Sequence, residues 1–404
     1  MPLARLRRIL GSQLVVRVVS SDNLVEKVQE EVAARRQQLL QKNKPAPIFK
    51  PVVRVAQFDG MAWQVRPIRL LHKIGRMTTP SGLANMARLS AGWATRRYFW
   101  AIAEASDNNQ RFRLSNDALG LDFHQKGLLS DEFGIGMAGL FMEEHLGIAE
   151  SMDISLALGD ALLAQQIEQS GRTQPDYIMW NGQPSPNYYL VECKGCQSGA
   201  DASLYQLRRG LEQLPSITFA DPARHAGSFV IATNLSGAET ILYIIDPPDE
   251  DEPSSRFRGD RASERTGGQL KVTDMAALER RSRIEKAVQI LQWAGQNHRA
   301  LAARAQLEAL PDIGALPDLP MEARKIAGAE YHGQVMPLFP ELSTDLKVFL
   351  GVDQRLLAAA ERQGEIPFDA LQAGAQRPVA EPEPAATDSV LLDGTCMSIE
   401  GLPL

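Results

Sequence analysis

The sequence predicts an α/β protein, with a mixed central sheet flanked by helices over residues 121–250. An N-terminal α+β module over 1–120 precedes it, and a helical or irregular region over 251–375 follows, ending in a disordered tail over 376–404. Three observations carry this prediction. Between 121 and 250, segments of helical period alternate with short runs of β-formers, an order that gives a sheet covered by helices. Two such runs flank a turn-forming centre around Pro184, which reads as a hairpin. No run of 18 or more apolar residues occurs, so nothing reads as a membrane span.

Taken in order, residues 21–43 form a helix that Ser21 or Asp22 can cap. Leu24, Val25, Val28 and Val32 are roughly helically spaced in it, and Pro45 and Pro47 stop it. Val52–Phe58 and Met61–Leu70 read as strands joined at Asp59-Gly60, a hairpin signal. A helical stretch runs from about Ser81 to Ala105. The core opens with a helix from Ser130 to His145, stopped by Gly147, and continues with a helical or mixed stretch at 155–170. The hairpin at 176–194, a helix at 201–214 and strands Ser228–Thr233 and Thr240–Ile245 complete it. Residues 247–269 read as a loop, 274–309 as a helix with Ile284, Val288 and Leu291 on one face, and 311–345 as proline-rich and irregular. The tail from 376, rich in Pro, Ala and Glu, reads as disordered.

The chain has 404 residues and a net charge of −6, from 43 Lys+Arg against 49 Asp+Glu. That balance weighs against a protein that coats duplex nucleic acid. Three cysteines, Cys193, Cys196 and Cys396, are too few for a disulfide framework and fit a reducing cytoplasm. The N-terminus lacks the long apolar stretch of a signal peptide. Basic residues cluster locally at Arg208-Arg209, at Arg280, Arg281, Arg283 and Lys286, and at Arg256, Arg258, Arg261 and Arg265. They read equally as phosphate contacts or as a solvated face balanced by Glu279 and Glu285.

The chemistry concentrates between Pro175 and Lys194. A hairpin symmetric about Pro184 places Asp176 opposite Glu192, with Cβ atoms about 4.5–5.5 Å apart on one face. Lys194, two residues on, points the same way. Two carboxylates so close repel, and a hard cation with oxygen ligands is the natural remedy. A divalent cation there offsets charge on a phosphoryl group under attack, and the lysine is at hand to activate water.

Pro175-Asp176, fifteen residues, then Glu192-Cys193-Lys194 resembles the PD-(D/E)XK, or restriction-endonuclease-like, nuclease superfamily, over roughly residues 130–235. The resemblance implies a restriction-like core and a Mg²⁺- or Mn²⁺-dependent nuclease, acting on DNA more than RNA, in restriction, antiviral defence or repair. It implies Asp176, Glu192 and the Cys193 carbonyl as metal ligands and Lys194 as the catalytic lysine. The helix before the hairpin supplies a further acid, Glu132, with Glu143 or Glu144 as the fallback. The helix after it supplies Gln206 or Gln213. A homo-oligomer, or a subunit of a larger defence or repair complex, also suits that family. The rival reading is a non-catalytic nucleic-acid-binding or scaffold subunit on the same fold.

Other motifs carry less. Gly134-Ile135-Gly136-Met137-Ala138-Gly139 fits G-x-G-x-x-G, but what precedes it reads as a helix start rather than the strand a dinucleotide site needs, so packing glycines are the better reading. Cys193-Lys194-Gly195-Cys196 lacks partners for a four-ligand zinc site, and Cys193 reads as packing on the back of the hairpin. The six histidines show no metal-binding spacing.

Overall fold

The computed structural model describes residues 3–44, 51–78, 94–104, 110–154, 175–182, 186–214, 217–219, 222–247, 270–272, 274–307, 317–338, 345–367 and 387–402, together with 49, 156, 343 and 370. The stretch at 155–170 (save 156), the loop over 248–269, all of 81–93 and the first part of the tail lie outside the described residues.

The N-terminal third holds α1 (Leu3–Gly11), β1 (Leu14–Val19), α2 (Asp22–Gln41), β2 (Val53–Arg54), β3 (Ala62–Val65), α3 (Pro67–Met77) and α4 (Asn116–Leu119). The middle holds α5 (Phe123–Leu146), β4 (Glu150–Asp153), β5 (Tyr177–Trp180), β6 (Tyr188–Cys196), α6 (Ala200–Gln213), β7 (Ile217–Phe219), β8 (His225–Asn234), β9 (Ile241–Asp246) and β10 (Leu270–Val272). The last third holds α7 (Met275–Trp293), α8 (Asn297–Arg304), β11 (Glu322–Ile326), β12 (Ala329–Pro337), β13 (Lys347–Asp353), α9 (Gln354–Gln363), β14 (Asp388–Val390) and β15 (Thr395–Glu400).

The class is α/β, around a mixed eight-stranded sheet ordered β3-β1-β9-β8-β6-β5-β4, with β2 also paired to β9. Strands β6 and β8 run parallel, as do β1 and β9. This overturns the boundary at 120. Leu14-Val15-Val16-Arg17-Val18-Val19 is a β-branched run that enters the core sheet beside β9, over two hundred residues away, and no local pattern announces such a pairing. The Asp59-Gly60 hairpin is also absent: β3 pairs with β1 and β2 with β9, and the expected second strand is cut to Ala62–Val65, with Pro67 opening α3 directly after it.

Helix α2 follows expectation, with the Ser21 hydroxyl accepting from Leu24 N–H. Helix α5 starts earlier than expected. Asp122 caps it by accepting from the His124 and Gln125 N–H groups, and Gly147 closes it at φ 65°. Ser130, expected as the start, lies inside and returns its hydroxyl to the Lys126 carbonyl at 2.6 Å. One face of the sheet packs on α5, α3 and α1 through Val16, Val191, Cys193, Phe133 and Met137. The other packs on α2 and α6 through Val28, Ile178, Leu190, Leu207 and Leu211. Among the described residues, no helix is long and apolar enough to cross a membrane.

The C-terminal third is not simply helical, and the end of the chain is not a disordered tail. Strands β11-β12-β13-β15-β14 form a five-stranded antiparallel sheet, with β15 between β13 and β14. The Pro/Ala/Glu bias ends by 386, while Ser389, Leu391, Cys396, Met397 and Ile399 are buried; composition averaged over the tail hid them.

The turn between β14 and β15 is tied to the core by buried charges. Asp393 meets Arg76 at 2.9 Å and Lys286 at 3.6 Å, and Lys286 meets Glu150 at 2.7 Å. Lys73 meets Glu143 at 2.7 Å, and Glu143 accepts from Leu392 N–H at 2.7 Å. His72 is stacked on Trp293 between the Ser389 and Thr395 hydroxyls. Burial holds its pKa down to about 3; Asp393 opposes this, and Arg76, Lys73 and Arg69 reinforce it. Unfolded, the ring protonates near 6.5, so between about 6.5 and 3 only the unfolded chain carries that proton. Stability is therefore expected to fall as pH drops through this window, and urea midpoints for His72→Gln are expected to show a shallower slope there. An unchanged slope would refute this role for His72.

Candidate active site

The hairpin has the expected register. Tyr177 pairs with Val191 and Ile178 with Leu190, symmetric about residue 184, which itself lies outside the described residues. Asp176, just before β5, and Glu192, on β6, therefore face each other. Each is fixed by the other strand's backbone. Asp176 N–H donates to Glu192 Oε2 at 3.0 Å, and Cys193 N–H donates to Asp176 Oδ2 at 2.9 Å. Lys194 Nζ contacts Glu192 Oε1 and lies 3.9 Å from Asp176 Oδ2. One ammonium thus sits between the two carboxylates.

Helices above and below set this geometry. On the α6 face, a Cβ at Gly210 would lie 2.9 Å from Glu192 Cγ, so only glycine lets the helix settle over the buried glutamate. Cys196 Sγ lies 3.2 Å from Ser203 Oγ, so α6 runs back along β6. Along α6, Gln206 falls between these two contacts and Gln213 beyond them. On the α5 side, a Cβ at Gly195 would fall 1.7 Å from the Ser130 carbonyl oxygen, and one at Gly134 would fall 2.8 Å from Gly195 N. Gly136 and Gly139 admit Ile74 and Met77 of α3 in the same way. The glycine run is a packing device for α5.

That packing decides which acid α5 presents. Residues 130 and 131 share the face of Gly134, four and three positions earlier, while position 132 is turned away. Asp131 therefore feels Lys194 and Arg209, and it in turn acts on Asp176. Glu132 instead interacts with Tyr98 and lies 3.9 Å from Arg97. The expected Glu132 is thus not the acid brought to the pair; its neighbour Asp131 is. Neither fallback serves. Glu143 is committed to Lys73 and Leu392, and Glu144 accepts from Trp63 Nε1 at 2.7 Å. Asp153, which no sequence signal singled out, also acts on Asp176 from the end of β4.

Burial raises the pKa of Asp176, with Lys194 and the Cys193 N–H opposing and Asp153 and Asp131 adding to the rise. Burial, then Asp176, pushes Glu192 up to about 8 against the pull of Lys194. Burial alone would lower Lys194, but Glu192 and Asp176 hold it above its ordinary value. Two carboxylates, Asp176 and Glu192, thus share the Lys194 ammonium, Asp176 also feels the charges of Asp153 and Asp131, and Glu192 is wholly buried. A further cation would relieve that excess. Among the described residues, no group of three or more His, Cys, Asp or Glu side chains is gathered to enclose a metal ion. Mg²⁺ does not require one, because one or two carboxylates with water and substrate phosphate hold it commonly. The donor set fits a cation of that kind, with the Cys193 carbonyl as the further donor on the same strand.

The other candidates separate from this site. Cys193 and Cys196 point to opposite faces, one into the α5-side core and the other toward Ser203, so their sulfurs do not converge. All three cysteines are free thiols. Arg281 and Lys286 are buried, paired with Glu285 and Glu150, and the half-buried Arg283 meets Glu365, so of that cluster only Arg280 is exposed. Arg256, Arg258, Arg261 and Arg265 lie outside the described residues. Comparison of the chain with protein-family models, with curated proteins and with solved structures found no match.

Proposed function

We propose that the protein is a Mg²⁺- or Mn²⁺-dependent nuclease with a PD-(D/E)XK, restriction-endonuclease-like core, hydrolysing phosphodiester bonds of nucleic acid, DNA in preference to RNA. The observation that carries this reading is the placement of Asp176, Glu192 and Lys194 on one sheet face, the two acids held by backbone N–H groups across a single ammonium. Surface ion pairs contribute about 0–1 kcal/mol and do not require such burial. A wholly buried glutamate beside a second acid costs stability, and sites that tolerate this cost are commonly functional.

In this reading Asp176, Glu192 and the Cys193 carbonyl hold the cation, and Asp131 adds charge from α5. The cation, when bound, offsets negative charge building on the phosphoryl oxygens. Lys194 orients the attacking water by a hydrogen bond and adds positive charge beside the phosphate. Gln206, one turn before Gly210 on α6, is the candidate to position that water or the phosphate. A role in restriction, defence against foreign DNA or repair suits such an activity, alone or within a larger complex.

Incubation with plasmid, single-stranded DNA and RNA tests the proposal. Cleavage is expected with Mg²⁺ or Mn²⁺ and none with EDTA. Mn²⁺ is also expected to raise the melting temperature of the wild type and not of Asp176→Asn. Cleavage that persists in EDTA would contradict the proposal. Binding of nucleic acid without cleavage in any metal would favour a non-catalytic subunit instead.

A further inference from the structure

We infer that the open sheet face beside α6 binds the phosphodiester backbone of the substrate, through Arg17 of β1 and its neighbour Arg111. This inference rests on the reading of Asp176, Glu192 and Lys194 as a phosphodiesterase site.

Residues paired across a sheet point to the same face. Cys196, Asn234, Ile241, Arg17 and Ala62 pair in succession across β6, β8, β9, β1 and β3. Cys196 turns toward Ser203 of α6, and Lys194, two residues before it on β6, shares that side. Arg17 therefore stands on the face that carries the candidate site. Three strand spacings put it about 14 Å across the sheet from Cys196.

The two sides of this part of the sheet differ. Toward α1 and α3, Leu14, Val16, Val18, Trp63 and Val65 are buried. On the other side α6 packs on β6 and β8, and Ala232 and Asn234 are buried there. Beyond them Tyr243 and Val15 are only half-buried, and Arg17, Ala62 and Gln64 are exposed. Arg17 also interrupts an otherwise aliphatic strand, Leu14-Val15-Val16-Arg17-Val18-Val19, that is paired on both edges. Nothing in that pairing calls for a charge.

A second guanidinium stands beside the first. Arg111 forms a parallel bridge with Val15, which brings it onto the same face. Arg17 meets Glu239 at 2.9 Å and Arg111 meets it at 3.6 Å, with both arginine side chains about half exposed. Two cations thus share one carboxylate, which orients them and leaves one positive charge over. The chain carries a net charge of −6 and its candidate site gathers carboxylates. Holding a polyanion there calls for a local cation away from the cut, and this pair supplies one. At 3.4 Å per nucleotide, about four nucleotides span the 14 Å.

A second pair provides the control. Arg5 and Arg8 of α1 share Glu104 in the same manner, but α1 packs on the opposite side of the sheet.

The test is fluorescence anisotropy of the full-length protein with a labelled oligonucleotide, single-stranded and annealed, in EDTA and across a series of KCl concentrations. Arg17→Ala and Arg111→Ala are each expected to weaken binding about eight-fold near 0.1 M salt and to lower the slope of log affinity against log salt by about 0.9. Arg17→Lys is expected to keep the wild-type slope, and Glu239→Gln to tighten binding. Arg5→Ala is expected to change neither. Melting temperatures are expected to hold, since exposed ion pairs contribute little to stability. Unchanged binding in both Arg17→Ala and Arg111→Ala, with normal Mg²⁺-dependent cleavage, would overturn this inference alone and leave a merely solvated sheet face. An equal loss in Arg5→Ala would overturn it too, by showing that overall charge and not this face sets affinity. If the arginine variants lose binding as expected but no metal supports cleavage, the reading of the site is wrong and the face stands as a nucleic-acid-binding surface. A wild type that neither binds nor cuts nucleic acid would end both.

Discussion

Lys194→Ala is expected to lower the cleavage rate by about 10²–10⁴-fold, the range typical of losing a positioned proton-transfer or water-orienting group. Metal binding is expected to persist, because Asp176 and Glu192 remain. The variant is also expected to fold. Removing the ammonium leaves a buried carboxylate beside a second acid, but burial already pushes Glu192 up to about 8, so it takes up a proton near neutral pH rather than staying charged. Single-turnover rates in saturating Mn²⁺, set beside the Mn²⁺ affinity, separate the two effects. Wild-type turnover in Lys194→Ala would remove the lysine from the chemistry.

The second large effect lies away from the site. Asp393→Ala removes the carboxylate facing Arg76 and Lys286, both buried. Breaking a buried pair leaves uncompensated charge and costs about 3–5 kcal/mol, so the melting temperature is expected to fall by roughly 5–10 °C. Asp393→Asn, which retains oxygen for the Thr395 N–H donated at 3.0 Å, is expected to fall less. A melting temperature within a degree of wild type in Asp393→Ala would show that the turn is not held by this network. The proposed nuclease activity, measured on the surviving folded fraction, is expected to match wild type in both variants, since neither touches Lys194.

The parts of the molecule that were legible in the sequence were those governed by short-range rules. The hairpin register follows from a period of two on either side of a symmetric turn, and a slip of one residue would turn Asp176 and Glu192 to opposite faces. Helix α2 is delimited by its Ser21 cap, and the glycine run of α5 was recognisable as packing. What escaped depends on distant partners. Strand β1 sits beside β9, and β15 sits between β13 and β14, because of core contacts that local composition does not encode. The acid supplied by α5 was missed by one residue. Helical phase there is set by the contact of Gly134 with Gly195, and anchoring the helix on that glycine pair would have put Asp131, not Glu132, toward Lys194. The buried network of Asp393, Lys286 and Arg76 joins three segments far apart in sequence, and its members looked like ordinary surface charges.

The central claim is that Asp176 and Glu192 together hold a divalent cation beside Lys194. Anomalous diffraction from a Mn²⁺-soaked crystal tests this most directly. A single strong peak against both carboxylates, with the Lys194 ammonium drawn away from Glu192, is the predicted result. Mn²⁺ bound elsewhere on the protein, with the Lys194–Glu192 contact intact and no peak between the two acids, would contradict it.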